Sequence, residues 1–258
     1  MPMIASRLRR FQLSLFIAGA AALAGFAADA GTATPAGPPS SDPVVPAPRD
    51  RDYSWMPLAE WNRQHAAFSE FAAKGDVDLI FDGDSIISGA QWSETWKKTF
   101  AAYRSTNMGI GGDRTQNLLW RLENGEIGAL KPKVVVVLIG TNNIFTTPRD
   151  VEDTARGIIA VAKKLNTAYP AAKILVLGVF PRDEQPSSLI RAKIKKINAT
   201  VAAMDDGKAI FVRDIGDVFL EPDGTLPRTV SPDQIHLTEE GVRRWTEAMG
   251  PIVKQLMK

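Results

Sequence analysis

The 258-residue chain has two histidines, His65 and His236, and His236 sits three positions after a carboxylate in Asp233-Gln-Ile-His236. On a helix-like turn that spacing projects both side chains to one side, about 5–6 Å apart at Cβ. The carboxylate can then hold one imidazole nitrogen while the other faces outward. A hydroxyl for that imidazole to deprotonate is offered by Gly83-Asp84-Ser85, one residue beyond the apolar run Val77–Phe81. Gly109-Ile110-Gly111-Gly112-Asp113 exposes main-chain N–H groups, and Gly140-Thr141-Asn142-Asn143 adds side-chain amides. Nucleophile, base, orienter of the base and oxyanion donors are the parts that acyl transfer needs. In that chemistry Ser85 attacks an ester carbonyl, and His236 takes its proton and returns it to the leaving alcohol. Asp233 fixes the His236 tautomer. The oxyanion is held by the N–H groups of Ser85 and Gly112 and by the amide of Asn142.

Each residue has a plainer reading beside this one. Ser85 can be only a helix N-cap, the glycine turn only a tight turn, and both asparagines only braces for loop backbone. His65 lies on the apolar stripe Trp61, His65, Phe68, Phe71 and reads as a core-edge histidine stacked one turn from Trp61. Two other chemistries fail on sequence. A dinucleotide fingerprint needs Gly where Arg114 stands, and the G-x-S-x-G elbow needs Gly where Ile87 stands.

The elements that must position these groups alternate. Strands are expected at 77–81, 105–108, 134–139, 173–177 and 209–212, with helices at 58–73, 92–100, about 115–122, 151–169, 189–204 and 239–257. Strict alternation of strand and helix implies a parallel sheet covered on both faces. In such sheets ligands sit outside the carboxyl ends of the strands, where Ser85, Gly112 and Asn142 all fall. Thr238 is the expected N-cap of the last helix, with Glu239 and Glu240 in its first turn.

Arg7, Arg9 and Arg10 precede an apolar stretch from Phe11 to Ala28, and Ala28-Asp29-Ala30 resembles a cleavage site. Residues 1–30 therefore read as an export signal, which places the protein in the periplasm or outside the cell, with a retained N-terminal membrane anchor as the rival. Without that segment no stable membrane insertion is expected. Residues 31–51, rich in Pro, Ala, Gly and Ser, read as a disordered or polyproline-like spacer, leaving 52–258 as one domain. Removing 1–30 takes away three Arg and one Asp and leaves 28 basic and 28 acidic residues, so no nucleic-acid footprint remains. With no Cys and two His, neither disulfides nor a His- or Cys-based metal site is expected, and no cofactor is called for. Oligomeric state is left open.

The four blocks, Gly83-Asp84-Ser85, Gly112, Gly140-Thr141-Asn142-Asn143 and Asp233-x-x-His236, together resemble those of the SGNH (GDSL) hydrolases. The stretches Asn107-Met-Gly-Ile-Gly-Gly-Asp113, Leu119-Trp-Arg-Leu122, Asn124-Gly-Glu126, Lys131-Pro-Lys-Val134, Pro181-Arg182 and Trp61-x-x-x-His65 are similar to the platelet-activating-factor acetylhydrolase α-subunit branch. The resemblance spans roughly residues 53–258. It implies a flavodoxin-like, three-layer α/β/α sandwich with a five-stranded parallel sheet, and an acylhydrolase acting on small-molecule or carbohydrate esters. The export signal departs from that intracellular branch. Beside the nucleophile and base, Ile86 and Ile235 are expected to line an acyl pocket suited to a short chain such as acetyl. Arg182 is expected either to touch the leaving group or to be a solvated loop cation. Two further readings stay open: a lysophospholipase or thioesterase with longer acyl preference, and a non-catalytic ligand-binding module on the same fold.

Overall fold

Apolar runs rich in aliphatic and β-branched residues are suited to strands covered on both faces, and four of them pair here with one short polar edge strand, Ser105–Asn107, into one sheet. The computed structural model describes residues 42–145 and 149–258. The strands are β1 (Leu79–Gly83), β2 (Ser105–Asn107), β3 (Val134–Leu138), β4 (Lys173–Leu177) and β5 (Ile210–Arg213). They run parallel in the order β2-β1-β3-β4-β5. The helices are α1 (Leu58–Lys74), α2 (Ser85–Ala90), α3 (Glu94–Phe100), α4 (Thr115–Arg121), α5 (Asp150–Ala168), α6 (Leu189–Ala202) and α7 (Glu239–Leu256).

The two-residue period of the strands divides the core. Ile80, Val135, Val137, Ile174 and Val176 pack with α1, α4, α5 and α6. Phe81, Val134, Val136, Leu138, Leu175 and Leu177 pack on the other face with α2, α3 and α7. Every residue of β3 is buried, and each such aliphatic side chain contributes about 1.5–3 kcal/mol relative to exposure. The result is the three-layer α/β/α sandwich that the alternation implied.

One boundary differs from expectation. Over residues 42–51 the Pro-rich stretch is a strap bonded to α4, not a free spacer. Ala47 N donates to Gln116 O at 3.0 Å, Thr115 Oγ1 to Pro43 O at 2.9 Å, and Asn117 Nδ2 to Ala47 O at 3.0 Å. Proline cannot pair as a regular strand, but its carbonyl remains a good acceptor, and α4 supplies side-chain donors for it. Composition identifies a stretch that will not form helix or sheet; it does not say that the stretch is undocked. Residues 1–30, and 31–41 of the expected spacer, lie outside the described residues.

Candidate active site

The turn that carries Ser85 begins where β1 meets β3. Gly83 has φ +152°, and a Cβ there would lie 2.0 Å from Leu138 O, so the position tolerates glycine alone. The next residue, Asp84, is the N-cap of α2, its Oδ1 accepting from Ile86 N at 3.0 Å. Ser85 is thus the first helical residue, not the cap, and is half-buried. Asp84 is fully buried, and burial drives its carboxyl up to about 7. Its Oδ2 has no hydrogen-bond partner among the described residues.

The loop before α7 brings up the imidazole. Asp233 Oδ1 accepts from the main-chain N–H groups of Ile235 (3.0 Å) and His236 (2.8 Å), forming a tight Asx turn. The other carboxylate oxygen lies 2.6 Å from His236 Nδ1, and His236 Nε2 lies 2.8 Å from Ser85 Oγ. Partial burial pushes the Asp233 carboxyl up, but the bonds from the His236 ring and the two main-chain donors outweigh it and hold it below the usual range. An ionised carboxylate only accepts, which assigns the proton to Nδ1 and leaves the Nε2 lone pair facing the hydroxyl. Thr238 then caps α7 through Gly241 N at 3.2 Å, fixing where the loop ends.

Two further loops close around Ser85. Ile110 N donates to Gly83 O at 3.1 Å. Gly109 lies against the start of α2, where a Cβ would be 2.8 Å from Asp84 O. Gly112, at φ +75°, and Ser85 have main-chain N–H groups with no protein acceptor among the described residues. Asn142, in the 3-10 turn Thr141–Asn143 after β3, gives one amide hydrogen to Asp113 O at 2.9 Å. Its second amide hydrogen has no protein acceptor among the described residues. Asn143 instead braces backbone and side chains of Thr115 and Gln116. One asparagine therefore takes the bland reading and its neighbour keeps a donor to spare.

Beneath these loops lies an ionic cluster that sequence reasoning missed. Arg121, fully buried, bonds Asp113 Oδ2 at 2.7 Å and Asp82 Oδ1 at 3.2 Å, and pairs with Glu126. Trp61 Nε1 donates to Asp113 Oδ1 at 2.7 Å, and Arg49 bonds Gly111 O and Asp113. Burial pushes the Asp82 and Asp113 carboxyls up against the pull of Arg121, whereas the three carboxylates overcome burial to raise the Arg121 guanidinium. The available signal was charge on faces otherwise read as buried, Asp82 at a strand end and Arg121 amid Leu118, Leu119 and Leu122. His65 is at the edge of this cluster, stacked on Trp61 with centroids 5.8 Å apart and 2.9 Å from Glu126, as its apolar stripe implied.

The remaining predicted residues fall as follows. Ile86 is 6% exposed and packs in the core layer of α7; Ile235 is half-buried in the loop beside His236. Arg182 is not a solvated cation: it is half-buried and donates to Thr141 O at 3.1 Å. Burial weighs against its charge, and Asp183, Asp233 and Asp84 favour it. The guanidinium thus lies in the field of three carboxylates, with no ester contact implied by that position alone.

Residues 81–244 match the model of the GDSL-like lipase/acylhydrolase family. Rat platelet-activating factor acetylhydrolase IB subunit alpha2 is 37% identical over 199 residues, covering 77% of this chain and 85% of that protein. The chain belongs to the GDSL hydrolases. It is a serine ester hydrolase. Solved structures share the fold of this GDSL hydrolase. A GDSL-like lipase from Bacteroides thetaiotaomicron superposes with a TM-score of 0.60 at 24% identity, over 77% of this chain and 97% of that one. A carbohydrate acetylesterase from Sinorhizobium meliloti gives 0.53 at 19%, over 69% and 99%.

Proposed function

We propose that Ser85 is the nucleophile, His236 the general base and Asp233 its orienting carboxylate. The oxyanion is held by the N–H groups of Ser85 and Gly112 and the amide of Asn142, and the substrate carries a short acyl group, acetyl above all. The observation that carries this reading is the continuous chain of contacts from Asp233 through His236 to Ser85 Oγ, at 2.6 and 2.8 Å. After attack, the tetrahedral oxygen gains hydrogen bonds that the ground-state carbonyl lacks, and His236 returns the proton to the departing alcohol. Water, activated by the same imidazole, then releases the acid. Of the two residues expected to line an acyl pocket, Ile86 is taken up by the core instead, because its side chain packs with the α7 layer; an acetyl preference is supported by Ile235, half-buried beside the base. It is also supported by the names of the rat relative, an acetylhydrolase, and of the Sinorhizobium neighbour, an acetylesterase. The basic and apolar N-terminal segment supports export to the periplasm or beyond, and residues 42–258 form the working domain.

The test is active-site labelling joined to chain-length selectivity. A fluorophosphonate probe should label the folded protein and fail on Ser85→Ala, and p-nitrophenyl acetate should exceed the octanoate in kcat/KM. A higher value for octanoate would favour the lysophospholipase or thioesterase reading. Absence of labelling would favour the binding module.

A further inference from the structure

The strap leads into an exposed indole, Trp55, beside the glycine turn. Trp55 is 59% exposed, among the most exposed large apolar side chains of the described residues. Its six-membered ring lies over Gly111 and Gly112, so closely that a Cβ on Gly112 would come within 2.7 Å of it and one on Gly111 within 3.2 Å. Three features hold it there. Tyr53 and Met56 exchange two main-chain hydrogen bonds of 3.0 Å, which pinch the chain around Trp55. The Tyr53 ring packs against the indole at 5.3 Å. Arg49, 5% exposed, anchors the strap to Gly111 O and Asp113 while facing the rings of Tyr53 at 4.6 Å and of Trp55 and Trp61 at 5.9 Å.

The indole is held in place while more than half of it stays open to solvent, which leaves aromatic surface for a ligand beside the glycine turn. We propose that Trp55 is a specificity-determining platform that stacks against a neutral sugar ring in the alcohol part of the ester, an inference that rests on the esterase reading above. Its position fits: Gly112 N is the proposed oxyanion donor, so a group seated on the indole lies next to the carbonyl being attacked. Its electrostatics choose between ligands. An indole face is electron-rich and suits polarised C–H bonds or a cation. Here the Arg49 guanidinium already faces the rings of Tyr53 and Trp55, so a second cation, such as a quaternary ammonium headgroup, competes with it for those faces. The apolar C–H face of an uncharged pyranose does not.

The experiment compares two acetyl esters on the full chain: an acetylated xylo-oligosaccharide, whose alcohol is a sugar, and ethyl acetate, whose alcohol is too small to reach the indole. Trp55→Ala should raise KM for the sugar ester about tenfold while kcat/KM for ethyl acetate stays within about twofold, and Trp55→Phe should recover most of the loss. Equal losses on both esters would mean that Trp55 only supports the glycine turn, and would overturn the proposal. So would no loss on the sugar ester, or a stronger Trp55 dependence for an acetylated choline phospholipid. Calorimetric titration of the sugar ester into Ser85→Ala protein separates this from the reaction itself. Binding that weakens about tenfold in Ser85→Ala/Trp55→Ala keeps the platform even if ester hydrolysis fails, and unchanged binding removes it even if hydrolysis stands.

Discussion

Asn142 gives an amide hydrogen to the carbonyl of Asp113 at 2.9 Å, so a donor carried by the loop after β3 is aligned by the turn that carries Gly112. Two proposed oxyanion donors therefore share one scaffold. Asn142→Ala removes a donor to the transition state and should lower kcat by about 10²–10³-fold with little change in KM. Steady-state kinetics on a short acetyl ester check this. A KM effect without a kcat effect would remove Asn142 from the oxyanion site.

Asp233 accepts three hydrogen bonds, two from main chain and one from the His236 ring. In Asp233→Asn the main-chain bonds to Oδ1 can persist, but the amide presents a donor to Nδ1 and selects the wrong tautomer. Activity should fall by as much as about 10⁴-fold, with a melting temperature close to that of the parent chain. Retained activity would show that His236 needs no carboxylate to orient it.

Arg121 is enclosed by Asp82, Asp113 and Glu126. Arg121→Met leaves these carboxylates facing each other and should cost about 3–5 kcal/mol at pH 8, read from the urea midpoint. Asp82 and Asp113 are already pushed upward by burial, and loss of the guanidinium pushes them further. They therefore accept protons readily on acidification, and the deficit should shrink at pH 5. A deficit independent of pH would mean that lost packing, not charge, dominates.

Asp84 titrates near 7 in the folded protein because it is buried, against about 4 for an exposed aspartate. A raised folded value means that the proton favours the fold. The stabilisation is complete below about pH 4 and disappears as pH rises through 7. Asp84→Asn keeps an acceptor for Ile86 N and cannot ionise. It should match the parent near pH 4 and exceed it at pH 8 by as much as about 4 kcal/mol, at about 1.4 kcal/mol per unit. Denaturation at the two pH values decides, and equal stability at pH 8 would refute an ionised, penalised Asp84.

The strap predicts a truncation boundary. A chain starting at residue 37 should match the longer protein in melting temperature, whereas one starting at 52 loses Arg49 and the bonds from Pro43 and Ala47 to α4. That chain should melt several degrees lower and lose activity, because Gly111 is left without its anchor.

Most of the sheet was legible in the sequence because its signals are local. Val134–Leu138 is an unbroken aliphatic run, and Thr238 with Glu239 and Glu240 marks a helix start without tertiary information. The spacing of Asp233 and His236 was legible for the same reason. What escaped depends on distant partners. Arg49 and Asp113 are 64 residues apart, and an arginine in a proline-rich stretch carries no mark of the carboxylate it meets. Asp84 reads as a polar turn residue until β1 and β3 enclose it. Arg182 reads as a loop cation until Thr141 takes its guanidinium.

The hydroxyl and the imidazole ride on supports of different burial. Ser85 is tied to the sheet through Gly83 and α2, whereas His236 and Asp233 stand half-exposed on a loop ahead of α7. Gentle warming would loosen the loop while the sandwich stayed intact. Catalytic turnover should therefore fade at temperatures where circular dichroism still reports a native chain, and should return on cooling.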